Sequence, residues 1–235
     1  MLEKFLYYFL LFYIYSIIGW GLESTYVAIK EKNFVDRGFL IGPYCPIYGI
    51  GGVGIVFYLT QYKDNVLTVF ILGLVICSVL EYFTSYIMEK LFNARWWDYS
   101  NEKFNLNGRI CGFNSLLFGL SSIAVIYFVQ PTLEKVLVSF NPKLLLILNI
   151  IALVIFYIDT IISLAVASRF RETITNIDIR KDSTQEFTIL VRDTIKNSNK
   201  ILQKRLYMAF PNIDFKKLIE LKNEIKDDIK EFLNK

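Results

Sequence analysis

The chain has 235 residues, of which 54 % are hydrophobic, with a mean hydropathy of +0.41 and a net charge of +4. So much apolar surface excludes an ordinary soluble domain and calls for lipid as the covering medium. The charge is too small for the dense basic patch that a nucleic-acid partner requires.

A helix needs about 20 apolar residues to cross the hydrocarbon layer. Five stretches approach that length, at roughly 5–28, 40–60, 65–89, 112–130 and 144–167. The expected fold is therefore all-α. A polytopic membrane body over 1–168, with about five transmembrane helices, precedes a cytoplasmic tail over 169–235. The first stretch is too long for the apolar part of a secretory signal, and no small-residue cleavage site follows it, so no cleavable leader is expected.

The second stretch is the least regular. It opens Gly42-Pro43-Tyr44-Cys45-Pro46 and continues through Gly49, Gly51, Gly52 and Gly54. Two prolines and repeated glycines make a poor continuous helix. Irregular backbone at membrane depth is tolerated only where protein or a water-filled cavity covers it. A helix with an irregular, interior-facing start is the expectation. The glycines serve close helix packing and close approach to a ligand equally well.

Basic residues in the connecting loops set the orientation. With the N-terminus outside, Lys30, Lys32, Arg37, Lys90, Arg95, Lys103, Arg109 and the tail fall inside. Lys4, Lys63, Lys135 and Lys143 fall outside. The expectation is a multi-pass cell-membrane protein, N-terminus out and C-terminus cytoplasmic.

The tail changes character at Arg169. It carries 15 Lys and Arg against 11 Asp and Glu. Ser183-Thr184-Gln185-Glu186 matches a capping box. Phe187, Leu190, Val191, Thr194, Ile201 and Leu202 then recur at helical spacing until Pro211-Asn212. Phe215, Leu218, Ile225, Ile229 and Phe232 form a second stripe. This reads as an amphipathic helical hairpin that packs on itself, on a second copy of the chain, or on membrane lipid.

Three cysteines, Cys45, Cys77 and Cys111, lie far apart, and histidine is absent. No paired spacing for zinc exists, and neither a metal nor a cofactor is expected. A Ser-His-Asp triad is impossible, and acid–base work would fall to carboxylates, Lys, Tyr or Cys. No GxxxxGK[ST] motif is present, so the chain is not its own P-loop ATPase.

Ionisable groups inside spans usually face a cavity or a partner. Glu23, Glu81 and Asp159 are such groups, although Asp159 sits near enough to a span end to snorkel. Tyr13, Ser16, Trp20 and Glu23 share one face of the first span. Ser78, Glu81, Ser85 and Glu89 share one face of the third. A polar cavity between the two spans is one reading, and helix–helix glue is the other. The loop at 90–114 alternates aromatics with polar residues, among them Trp97, Asp98, Asn105 and Arg109. Such a mixture suits a pocket or an interfacial belt. Arg109 is a natural countercharge for Glu81, Glu89 or an anionic ligand. The candidate substrate-binding set is Trp20, Glu23, Glu81, Ser85, Glu89, Trp97, Asp98, Asn105 and Arg109.

Several ordered motifs carry a resemblance. Trp20-Gly21-Leu22-Glu23, Arg37-Gly38-Phe39-Leu40, the run Gly42 to Gly49, Leu80-Glu81-Tyr82, Trp97-Asp98-Tyr99 and Asn107-Gly108-Arg109-Ile110-Cys111 resemble the bacterial type IV ABC-transporter (CmpB-like) family. The resemblance covers roughly residues 5–167. It implies a permease-like component whose ATPase is a separate subunit. It singles out Trp20, Glu23, Gly38, Pro43, Glu81, Trp97, Asp98 and Arg109. Transport is the leading expectation. The alternatives are a membrane-embedded enzyme for an amphipathic anionic substrate, and a non-catalytic anchor or sensor acting through its tail.

Overall fold

The computed structural model describes residues 2–92, 94–175, 201–210 and 213. Those residues are mostly helical. α1 spans Leu2–Glu31, α2 Pro46–Leu59, α3 Val66–Phe92, α4 Gly112–Ala124, α5 Gln130–Val138, α6 Pro142–Thr175 and α7 Ile201–Ala209. A wider turn over Val125–Val129 joins α4 to α5, so Gly112–Val138 is one continuous rod. Pro131, just past that turn, lacks the N–H a regular ladder needs, and the widened turn absorbs the missing bond. Side chains start two helices. Asn65 accepts from the Thr68 N–H at 3.0 Å and Asn141 from the Lys143 N–H at 2.9 Å, each satisfying a donor that the first turn leaves orphaned.

Four of these rods are long and apolar enough to cross a membrane: Lys4–Glu31, Val66–Phe92, Gly112–Val138 and Pro142–Phe170. α3 shows the inversion that lipid imposes. Ser78, Glu81, Ser85 and Glu89 are buried, while Ile71, Val75, Val79 and Phe83 are exposed. Polar groups turned inward and apolar groups turned outward are stable only where the surrounding solvent is hydrocarbon.

The second apolar stretch is not a full-length helix. Its helical part, α2, has 14 residues, about 21 Å at 1.5 Å per residue. The preceding residues, 32–45, run back along α1 as irregular chain. The Arg37 N–H reaches Ser24 at 3.3 Å, and the Cys45 N–H donates to the Ser16 carbonyl at 2.9 Å. α2 continues in the same direction: Tyr48 lies over Gly19, Gly52 against Tyr15, and Phe57 against Tyr8 with ring centroids 5.7 Å apart. α3 then returns antiparallel, with Leu59 and Val69 in one cluster and Gly51 facing Cys77 and Leu80. Residues 32–59 therefore traverse the length of α1 as half irregular chain and half helix.

Asp159 of α6 makes that irregular half possible. Its two oxygens accept the Ile41 N–H at 2.9 Å, the Gly42 N–H at 2.7 Å, the Tyr44 hydroxyl at 2.5 Å and the Ser163 hydroxyl at 2.8 Å. It is 8 % exposed and does not snorkel, because α6 runs on for four further turns to Thr175. Gly38 sits at φ +111° with the Cys45 sulfur 2.8 Å from where a Cβ would stand. Only glycine takes that bend without strain.

Buried polar groups tie the opposite end of the bundle. The Tyr15 hydroxyl donates to Gln130 Oε1 at 2.8 Å, and Gln130 Nε2 donates to the Tyr7 hydroxyl and to Glu134, both at 2.9 Å. This knot joins α1 to α5.

Of the hairpin expected in the tail, the capping box, the stripe from Phe187 to Thr194, the Pro211-Asn212 break and the stripe from Phe215 to Phe232 lie outside the described residues. α7 is described, and it docks on the body. Leu206, Tyr207 and Ile213 join Phe92, Ala94, Trp96, Ala167 and Phe170 in one cluster. Ile201, counted from the sequence as part of an apolar stripe, is 80 % exposed.

Candidate functional site

Four of the inward groups on α3 meet different partners. The Ser78 hydroxyl donates to Ser115 Oγ on α4 at 2.8 Å. Ser85 Oγ accepts from Arg109 at 3.2 Å. Glu89 forms ion pairs with Arg109 at 2.8 Å and Arg95 at 3.3 Å. Glu81 is the exception. Its Oε1 accepts the Tyr99 hydroxyl at 3.2 Å, but its Oε2, also buried, has no hydrogen-bond partner among the described residues. Glu81 as a whole is 8 % exposed. Among the described residues the charged group that acts on it is Glu23, and no cation does.

Arg109 is thus the countercharge of Glu89, not of Glu81. Its guanidinium also lies over the Tyr82 and Tyr86 rings, 5.7 and 5.4 Å from their centroids. A planar cation stacked on aromatics and paired with a carboxylate is well stabilised at low dielectric.

The loop between α3 and α4 folds onto this pair. Trp97 Nε1 donates to the Arg109 carbonyl at 3.2 Å. Asp98 accepts from the Ser100 N–H at 3.1 Å, the Ser100 hydroxyl at 2.6 Å and Arg95 at 3.4 Å. Burial pushes the Asp98 carboxyl up, but the bonds from Ser100 and the Arg95 charge outweigh it and hold the group below the usual carboxylate range. Asn105 bonds the carbonyls of Ser100 and Glu102 and accepts the Gly108 N–H at 3.1 Å. Gly108 turns at φ +65°, where a Cβ would stand 2.3 Å from Asp98 Oδ1. This wrapping delivers Tyr99 to Glu81. Burial and the neighbouring carboxylate push the Tyr99 hydroxyl up, so at neutral pH it remains a donor.

From α1, Glu23 lies within electrostatic reach of Glu81. It pairs with Arg37 of the irregular segment at 3.0 Å. Tyr48 of α2 has Glu23, Cys45, Tyr99 and Glu81 within electrostatic reach, yet 39 % of its surface is open. Trp20 stands apart, its Nε1 donating to Asp36 at 2.8 Å.

α7 closes the same end of the bundle. Arg205 pairs with Asp36 at 2.7 Å and donates to the Leu40 carbonyl. Arg37 donates to the Ala209 carbonyl and lies 5.6 Å from the Phe210 ring centroid. Trp96 and Phe210 meet edge to face at 4.9 Å.

The nine sequence candidates therefore separate into three groups. Glu23 of α1 and Glu81 of α3 lie within electrostatic reach of each other. Ser85, Glu89, Trp97, Asp98, Asn105 and Arg109 form one bonded network beside them. Trp20 bonds the segment that α7 covers. Sequence reasoning missed Tyr48, Tyr99 and the pairing role of Arg37. Arg37 and Tyr48 were both inside the motifs quoted for the resemblance, and Tyr99 followed Asp98 in another.

Apolar rods around a buried network of carboxylates, arginines and tyrosines define a polytopic helical membrane protein with a polar interior. Residues 10–164 match the model of the family described as Putative ABC-transporter type IV, and the chain belongs to that family. No curated protein and no solved structure matches it.

Proposed function

We propose that the chain is the membrane-spanning component of a transport system, and that the space bounded by Glu23, Tyr48, Glu81 and Tyr99 is its solute site. One observation carries the reading: a carboxylate oxygen near the middle of a membrane helix, buried and without a partner. A buried acceptor left unbonded costs about 1–3 kcal/mol, and more when charged. Such a cost persists where a ligand satisfies the group during function. The family match supports transport over other membrane roles.

In this reading the residues divide their labour. Glu81 and Tyr99 contact solute. Glu23 sets the local charge while held by Arg37. Glu89, Arg109, Ser85, Trp97, Asp98 and Asn105 hold the loop that positions Tyr99. The Tyr7–Tyr15–Gln130–Glu134 knot seals one end of the bundle, and α7 seals the other. The family match favours an ATPase subunit as the energy source.

In this reading the chain makes five passes, the second through residues 32–59, so the termini lie on opposite sides, and the Lys/Arg-rich loops favour an outside N-terminus and a cytoplasmic tail. The membrane body is 1–168 and the tail 169–235.

The test compares solute pools in null cells complemented with wild type or with Glu81→Gln at equal membrane abundance. The variant is expected to reproduce the null pattern. A wild-type pattern from Glu81→Gln contradicts the proposal.

A further inference from the structure

We infer that the solute taken at Glu81 is an organic ammonium ion, a primary or secondary amine in its protonated form with an apolar body. The inference rests on the transport-site reading and deepens it. Four observations narrow the ligand.

The first is charge. Glu23 is paired with Arg37, and both arginines of the neighbouring loop are engaged with Glu89. Among the described residues no cation acts on Glu81. When Glu81 is ionised, the site therefore carries a negative charge that no described cation neutralises, which repels anionic solutes and attracts cations.

The second is hydrogen bonding. Oε2 needs a donor, because Tyr99 already serves Oε1. Protonating Glu81 merely exchanges an orphan acceptor for an orphan O–H donor. An ammonium N–H supplies both the bond and the compensating charge, and such charge-assisted bonds are the stronger kind.

The third is the donor set. Among the described residues no three His, Cys, Asp or Glu side chains converge as a bare metal ion requires. A single carboxylate flanked by phenols is poor coordination for magnesium or calcium, which take six or more oxygens.

The fourth is the wall. Tyr99 meets the carboxylate through its hydroxyl, and Tyr48 lies within electrostatic reach of it, so two phenols stand near the group. Aromatic faces stabilise a cation placed over them. Gly51 also faces this region, across from Cys77 and Leu80. Those neighbours are apolar, which suits an apolar ligand body.

Carbodiimide protection of the wild-type full chain in lipid nanodiscs tests this. N,N′-Dicyclohexylcarbodiimide adds to carboxyl groups in apolar surroundings, and peptide mass spectrometry locates the adduct. Labelling at Glu81 is followed alone, with 2-phenylethylammonium, with n-butylammonium, and with 3-phenylpropionate as the anionic control. The expected result is labelling at Glu81 that an ammonium probe slows and the anion does not. With probe at about ten times its dissociation constant, mass action sets that slowing at about tenfold. Labelling that neither ammonium slows overturns the ammonium assignment and leaves an accessible solute site standing. No labelling at Glu81, with other membrane carboxyls modified, overturns both, because the group is then sealed. Glu81→Gln in the same preparation confirms the adduct's position without bearing on folding.

Discussion

Asp159 shows how a single acid in an apolar helix can be structural. Four donors converge on it, two of them backbone N–H groups of chain that has no helical partner for them. In hydrocarbon each such group left unbonded costs several kcal/mol. Asp159→Asn keeps the shape but removes the charge and replaces one acceptor oxygen with a donor. The expected loss is about 2–4 kcal/mol, from weakened charge-assisted bonds and one mismatched donor. Thermal unfolding of the purified variant in detergent checks this, and an unchanged midpoint would count against the role. Glu81 offers the contrast. It lies on the same kind of helix with similar burial, yet one oxygen has no donor. Sequence pattern flagged both acids, because charge within an apolar run is visible without knowing what meets it, but it placed only Glu81 in the candidate site and read Asp159 as near enough to a span end to snorkel. Which acid is satisfied depends on residues more than 100 positions away in one case and on a loop 18 positions away in the other. Pairing of that range leaves no periodic signal.

Among the elements, α2 was the one the sequence marked as irregular, and the reason is now visible. Its glycines divide by what they face. A Cβ at Gly49 would stand 2.5 Å from the Phe12 carbonyl and 2.2 Å from the Ser16 hydroxyl. At Gly51 it would make ordinary contacts of 3.6 and 3.9 Å with Leu80 and Cys77. Gly49→Ala must push α1 and α2 apart and is expected to cost about 1–3 kcal/mol, as overpacking does. Gly51→Ala is expected to leave stability within about 0.5 kcal/mol, the range of harmless substitutions. Paired thermal melts decide this, and equal losses at the two positions would show that the α1–α2 contact is looser than described. The inward face of α3 was legible because Ser78, Glu81, Ser85 and Glu89 repeat at helical spacing. The half-helix of residues 32–59 was only partly legible. Glycine and proline marked the break, but length alone suggested a full span. The turn at Val125–Val129 had a local signal in Pro131, which the hydropathy of the run concealed.

For the whole molecule, the chain's path and its two sealed ends belong together. Four long rods alone would put both termini on one side of a membrane, whereas a fifth pass through residues 32–59 puts them on opposite sides. Reporter fusions distinguish these. Alkaline phosphatase joined before residue 2 should be active outside, and a fluorescent protein joined after residue 235 should be bright inside. Both termini on one side would remove the fifth pass and relocate Arg37 and Asp36. The docking of α7 fits a cytoplasmic end, since Arg205, Asp36 and Arg37 gather there with the Trp96 and Phe210 rings. Composition had marked the tail as a separate, charged region, and its stripes suggested packing on itself, on a second copy or on membrane lipid. Contact with the C-terminal ends of α3 and α6 was hidden because it uses Leu206, Tyr207 and Phe210, beyond the stripe that periodicity emphasised. The central claim remains that the interior beside Glu81 is a ligand site and not packing. A cryo-electron microscopy map of the protein in lipid nanodiscs tests it most directly. The account predicts density for water or solute within hydrogen-bonding distance of Glu81 Oε2, in a space lined by Tyr48 and Tyr99. A dry, closed interior with Glu81 bonded on both oxygens by protein groups would contradict it.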